Sequence, residues 1–213
     1  MQPDFWIKRW EKNEIGFHRN EINPFLKKFG EKLLDPGKNV VVPLCGKSLD
    51  LLWIARKSAR VTGIELSSIA IECFFLENEL DFKKEKYFYS SDNITILEQD
   101  LFAIDPEELK HTNLVFDRAS LIALPPELRK KYAEFIIGLN PEKILLITLD
   151  YNQNEMNGPP FSVSDEEVNT LYGQSYNIKL LESVNNLERE PRFREKGMTS
   201  LFEKCFLLQN KEL

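Results

Sequence analysis

The chain has 213 residues, 42% hydrophobic and 29% charged, with 28 basic against 34 acidic side chains and a formal net charge of −6. That is enough for one substantial α/β domain and too little for two comfortable ones, so residues 1–213 are expected to form a single domain. The acidic balance argues against a nucleic-acid binder, whose footprint is basic, and no apolar run approaches the ~18 residues of a membrane span.

Residues 1–35 carry no strand signal. Pro3 to Lys12 reads as a helix with Phe5, Trp6, Ile7 and Trp10 on an aromatic face. Asn23-Pro24 suits an N-cap followed by proline at the first helical position, and Phe25, Leu26, Phe29 and Leu33 repeat at helical spacing until Asp35-Pro36-Gly37. Ile15-Gly16-Phe17-His18 lies between the two helices. Read plainly, this is a helical pair packed on a sheet. The sharper reading is a lid, because two tryptophans near a solvated terminus are costly unless they cover something.

Val40-Val41-Val42 is short and β-branched, as a buried parallel strand is. Pro43 to Ser48 breaks it around Gly46, and Ser48 suits the N-cap of a helix through Leu49, Leu52 and Trp53. A second strand, Arg60 to Ile64, ends at Glu65. Ser67 or Ser68 caps the next helix, with Ile69, Cys73, Phe74 and Leu80 on one face. Lys83 to Asn93 reads as a loop or an edge strand. Further strands are predicted at Ile94–Leu97, Leu114–Phe116 and Ile144–Leu149, with a helix from Pro126 to Leu139. After a loop with Gly158-Pro159-Pro160, Ser164 and Asp165 cap a helix through Tyr172. Two last strands, Ile178–Val184 and Leu201–Gln209, flank a charged link without a helix, which predicts a hairpin and one antiparallel strand. Alternating strands and helices predict a mostly parallel sheet covered on both faces.

Strand, glycine turn, helix, strand and acid form the first half of a dinucleotide-type fold, and Glu65 stands 19 residues beyond Gly46, close to the ~20 expected for an acid that binds ribose hydroxyls. Glu65 can instead simply cap the next helix. Gly46-Lys47-Ser48 mimics the end of a P-loop, but Val41 occupies the position of its first glycine. The turn also lacks GxGxxG, which weakens NAD and FAD and favours a ribose ligand without pyrophosphate, such as S-adenosylmethionine. Glu65, Asp100, Asp117 and Asp150 all stand at or just past strand ends, where they predict a polar rim at the crevice of an open α/β sheet. Asp117-Arg118 is either a surface ion pair or places an arginine to reach a carboxylate in that crevice. Cys45 reads as a buried structural thiol. Three widely spaced cysteines and two distant histidines offer no disulfide framework, CxxC knuckle or metal set, so no metal is expected and a reducing cytoplasm is the expected setting.

FWIKRW (5–10), IGFH (15–18), VPLCGKSLDLLW (42–53), GIELS (63–67), FDRASLIALPP (116–126), LLITLDY (145–151), GPPFSVSDEEV (158–168) and GMTSLFEK (197–204) together resemble the thiopurine S-methyltransferase family, in its bacterial form most closely. The resemblance covers nearly the whole chain in order; residues 82–91 and 185–194 match weakly. It implies a Rossmann-like, seven-stranded S-adenosylmethionine-dependent methyltransferase fold with an N-terminal helical lid over residues 1–35. Carried over, it implies a donor site of Trp10, Leu44, Glu65, Asp100, Leu101 and Arg118, with Asp100-Leu101 at the adenine. It also implies a small-molecule thiol acceptor held by Arg118 and by Arg192, with Arg194 as the alternative, in a monomer. Positioning, desolvation and an arginine that favours the thiolate carry the expected chemistry. Selenium or tellurium species and small metabolite thiols remain alternative acceptors. A non-catalytic nucleotide-binding module and an NAD enzyme remain alternative classes.

Overall fold

The computed structural model describes residues 3–212; residues 1, 2 and 213, at the two ends of the expected single domain and its lid segment, lie outside the described residues. Helix α1 spans Pro3–Glu11 and α2 spans Pro24–Gly30. The Asn23 side chain accepts hydrogen bonds from the backbone N–H groups of Phe25 and Leu26, so the Asn-Pro start acts as the sequence predicts. Strand β1 is Asn39–Val42, α3 is Asp50–Ala55, β2 is Arg60–Glu65 and α4 is Ser68–Glu77 with Ser67 at its N-cap. The α3 boundary falls one residue later than expected. Leu49 stands there without a side-chain cap, and the Ser48 hydroxyl bonds to the N–H and carboxylate of Asp50 instead.

The stretch that reads as loop or edge strand is a hairpin, β3 (Lys83–Lys84) and β4 (Phe88–Ser91), leading into β5 (Ile94–Glu98). Strand β6 (Leu114–Arg118), helix α5 (Pro126–Gly138) and strand β7 (Lys143–Asp150) follow, then α6 (Asp165–Tyr172) and β8 (Tyr176–Asn185). A one-turn helix, α7 (Pro191–Arg194), interrupts the link to β9 (Phe202–Asn210). The sequence predicts no helix there because four residues are too few to show a period.

The strands form one sheet in the order β3-β4-β5-β2-β1-β6-β7-β9-β8. Strands β5, β2, β1, β6 and β7 run parallel, and β9 lies antiparallel between β7 and β8. This is the expected seven-stranded sheet with one antiparallel strand, extended to nine by the β3–β4 hairpin, whose β4 pairs antiparallel with both β3 and β5.

Side chains alternate across the sheet and sort into two layers. Val41, Val115, Ile144 and Leu146 face α5 and α6, packing with Tyr132, Ile136 and Tyr172. Val40, Val42, Phe116, Leu145 and Ile147 face α2, α3 and α4, packing with Leu26, Ile54 and Phe74. A small third cluster, Tyr151, Leu187, Phe193, Met198 and Leu201, anchors the β8–β9 connection. Gly63 in β2 leaves room for the first turn to pack on the sheet: a Cβ there would lie 2.7 Å from the Cys45 sulfur. Cys45 is buried as expected, and burial pushes its thiol well above the ordinary range, the state of an inert sulfur.

Candidate functional site

Beyond the carboxyl ends of β1, β2, β5, β6 and β7 lies a crevice of about 520 Å³, a size typical of small-molecule sites. Two turns form its floor, and each carries a non-glycine residue in the left-handed region: Leu44 (φ 44°) after β1 and Ala119 (φ 65°) after β6. Such backbone is costly for a side-chain-bearing residue and persists only where surroundings enforce it, commonly at binding sites. The buried Ser120 hydroxyl donates to the Pro43 carbonyl at 2.7 Å and ties the two turns together. Gly46 (φ 53°) completes the first turn beneath the Trp10 ring; a Cβ there would stand 3.1 Å from that ring.

Glu65, at the end of β2, accepts three backbone hydrogen bonds, from Gly46 at 2.9 Å and from Leu66 and Ser67 at 2.8 Å each. Burial raises its pKa, and the three donors pull it back toward the charged form. The carboxylate thus caps the turn and lines the crevice at once. Two oxygens offer about four acceptor positions, so roughly one remains for a hydroxyl from outside. Asp100 caps the turn Leu101–Ala103 by accepting from Phe102 at 3.0 Å, and Asp100, Leu101 and Phe102 form the wall beside β5.

Only part of the expected acidic rim is there. Glu65 and Asp100 line the crevice. Asp117 does not: it follows Phe116 in β6, so its side chain turns to the α5 layer, where it is fully buried. There it accepts from the Tyr132 hydroxyl at 2.7 Å and the Leu121 N–H at 3.3 Å, and burial raises its pKa to about 6. Asp150 is held by Lys204 at 2.6 Å and stands outside the crevice lining. Arg118 points the opposite way from Asp117 and faces Asp50 of α3 at 3.7 Å, so the Asp117-Arg118 surface pair does not form.

The N-terminal turn and the β8–β9 connection also line the crevice. Trp10 is nearly buried and meets Phe17 edge to face, centroids 5.5 Å apart. The two carboxylate oxygens of Glu190 receive Arg19 and Arg192, the latter at 3.2 Å, and Arg192 also donates to the Gly16 carbonyl. Burial lowers the pKa of both arginines, Arg19 further through its neighbours Arg192 and Arg118. Arg192 lines the crevice; Arg194 faces Glu188 at 3.2 Å on the exposed side and does not. Burial, then Lys47, pushes His18 below its usual value, so its ring is neutral near pH 7.

All the expected site residues, Trp10, Leu44, Glu65, Asp100, Leu101, Arg118 and Arg192, therefore meet in one crevice. Sequence reasoning missed Arg19, Asp50, Ala119, Asn186, Glu190 and Glu203. Asp50 and Ala119 sit inside stretches singled out above, whereas Glu190 and Arg19 are partners 171 residues apart.

A sequence model of the family described as thiopurine S-methyltransferase (TPMT) matches residues 1–211. The chain belongs to the thiopurine S-methyltransferase family. A thiopurine S-methyltransferase of Nitrosospira multiformis is 44% identical over 218 aligned positions, covering 99% of each chain, and one of Pseudomonas aeruginosa is 43% identical, covering 98% of this chain and 99% of its own. Among solved structures, an S-adenosylmethionine-dependent methyltransferase from Anabaena variabilis superposes with a TM-score of 0.65 at 15% identity, covering 98% of this chain and 95% of that one. The N1-methyltransferase of 1,6-didemethyltoxoflavin from Burkholderia thailandensis, which carries S-adenosylhomocysteine, superposes at 0.66 with 11% identity, covering 98% and 87%.

This family chain is an S-adenosylmethionine-dependent methyltransferase, and the crevice fits the donor on its own geometry. Three acceptor positions of Glu65 are filled, which leaves room for a hydroxyl such as a ribose carries, and the Trp10 and Phe17 rings that line the crevice are of a kind suited to a sulfonium. Arg118 lines the crevice 3.7 Å from Asp50, and a guanidinium there suits a carboxylate.

Proposed function

We propose that this enzyme methylates the sulfur of a thiopurine or another aromatic heterocyclic thiol, with Arg192 holding the acceptor as its thiolate. S-Adenosylmethionine, when bound, supplies a methyl group on a sulfonium; the acceptor sulfur forms the new C–S bond as the old one breaks, and the electron pair leaves on the sulfur of S-adenosylhomocysteine. Trp10, Leu44, Glu65, Asp100, Leu101 and Arg118 are proposed to hold the donor. The observation that carries the acceptor reading is a cationic group in a crevice with an apolar lining: Arg192 shares it with Ile147, Leu149, Pro160, Phe193 and Leu201.

The chain's part is to orient and to exclude water. Heterocyclic thiols ionise near neutral pH, so a partly desolvated guanidinium suffices and no strong base is required. We further propose that residues 1–213 act as one domain and monomer, that residues 1–35 form its lid, and that the setting is cytoplasmic, with neither nucleic acid nor membrane as partner. Detoxification of thiol compounds is the proposed role. Among the described residues no helix is long and apolar enough to cross a membrane.

The decisive assay is methyl transfer to 6-mercaptopurine and to its oxygen-for-sulfur analogue, with wild type, Arg192→Ala and Arg194→Ala. Transfer to the thiol alone, impaired in Arg192→Ala, is expected. Equal rates on both acceptors would refute a thiolate mechanism, and impairment in Arg194→Ala instead would move the arginine.

A further inference from the structure

The carboxylates that line the crevice are mostly committed. Asp50 is held by the backbone N–H of Asn23 and by Ser48, Glu65 by three backbone donors, and Glu190 by two arginines. Asp100 caps the turn that follows it through Oδ1, whereas Glu203 caps no turn among the described residues. It stands at the start of β9, in register with Leu149 of β7, and makes no ion pair among the described residues. One oxygen, Oε2, accepts from the Asn186 side-chain amide at 2.7 Å; the other, Oε1, accepts no hydrogen bond among the described residues. Asn186 holds this arrangement at a cost, because its own Oδ1 is sealed from solvent with no donor. Flipping the amide would bring Oδ1 against the carboxylate, so Glu203 fixes its orientation.

We propose that Glu203 is a specificity-determining residue of the acceptor site: its free Oε1 accepts a hydrogen bond from a ring N–H of a heteroaromatic thiol, and Asn186 is the positioning residue that turns it. This rests on the proposed function above. Glu203 and Arg192 both line the crevice, one suited to an N–H donor and the other to a thiolate. Burial raises the pKa of Glu203, and its neighbours Arg118 and Arg19 pull it back toward the charged form without a direct pair. A site with such an unpaired acceptor discriminates against a thiol that brings no donor, because the desolvated oxygen would stay unpaired.

The test compares kcat/KM for 6-mercaptopurine, which has ring N–H groups, with that for 4-nitrobenzenethiol, which has none, in wild type, Glu203→Gln and Asn186→Leu. In Glu203→Gln, Asn186 claims the amide oxygen and the amide nitrogen turns to the ligand, so an acceptor becomes a donor. The ratio of the two kcat/KM values is expected to fall about ten-fold or more, through the KM for 6-mercaptopurine. Asn186→Leu should move the ratio the same way by less, and titration with S-adenosylhomocysteine should show wild-type affinity. An unchanged ratio in Glu203→Gln, or equal losses on both thiols, overturns the proposal. So does a loss of affinity for S-adenosylhomocysteine, which would place Glu203 at the donor. If wild type turns over neither thiol, the proposed function itself fails and this inference falls with it.

Discussion

Glu65 shows how one side chain serves fold and ligand together. Its three backbone bonds fix the Leu44–Gly46 turn and the start of α4, and the acceptor position left over suits a donor hydroxyl. Glu65→Gln keeps the shape but loses the charge and forces an N–H toward donors. Affinity for S-adenosylhomocysteine should fall by about 1.5–3 kcal/mol, the usual worth of hydrogen bonds to a charged group, while the acceptor KM changes little. Calorimetric titration of the folded variant measures this; wild-type affinity would leave Glu65 a cap and nothing more. The residue's place after the second strand was legible in the sequence. That it caps as well as lines was not, because both readings predict the same residue at the same position.

Among the elements, α1 and the turn after it reach the site by contacts remote in sequence. Trp10, packed against Phe17, covers Gly46, and Glu190 clasps Arg19 and Arg192, joining the turn at residues 16–19 to the β8–β9 connection. If this is the lid, amide hydrogen exchange in residues 3–20 should slow when S-adenosylhomocysteine binds, and Glu190→Gln should weaken that protection. Exchange that binding does not alter would return the segment to a packed helical pair. The strands and long helices were readable from period and capping: Asn23, Ser67 and Ser164 all cap where expected. The one-turn helix α7 and the clasp were not readable. Four residues carry no period, and an ion pair spanning most of the chain leaves no local mark. The Asp117 misreading has a different origin. Its position at a strand end was right, but alternation sends it under α5 while Arg118 takes the crevice side.

Across the molecule, the open end of the sheet gathers carboxylates whose pKa values burial raises: Asp50, Glu65, Glu203 and, to about 6, Asp117. A carboxyl with a raised native pKa binds its proton more tightly folded than unfolded. Its stabilising contribution is therefore full below the ordinary aspartate range and is lost as pH rises through about 6 for Asp117. At about 1.4 kcal/mol per pKa unit, Asp117 alone accounts for a decline on the order of 3 kcal/mol. Urea unfolding between about pH 4 and pH 7 should show wild type losing more stability than Asp117→Asn. Parallel curves would mean that Asp117 ionises normally in the fold.

The interleaving of β9 between β7 and β8 has a consequence for how the molecule comes into being on the ribosome. Synthesis delivers β8 first, yet β8 has no neighbour in the sheet but β9. Until residues 202–210 have been made, β7 presents an unpaired edge of apolar residues and β8 has nowhere to dock. Such an edge is an invitation to mispairing with other chains. The same insertion carries Glu203 into the crevice, so the nascent chain can assemble the turns at Leu44 and Glu65 well before an acceptor wall exists. On the reading proposed above, the strand that pairs β7 with β8 also brings in the group that selects the acceptor.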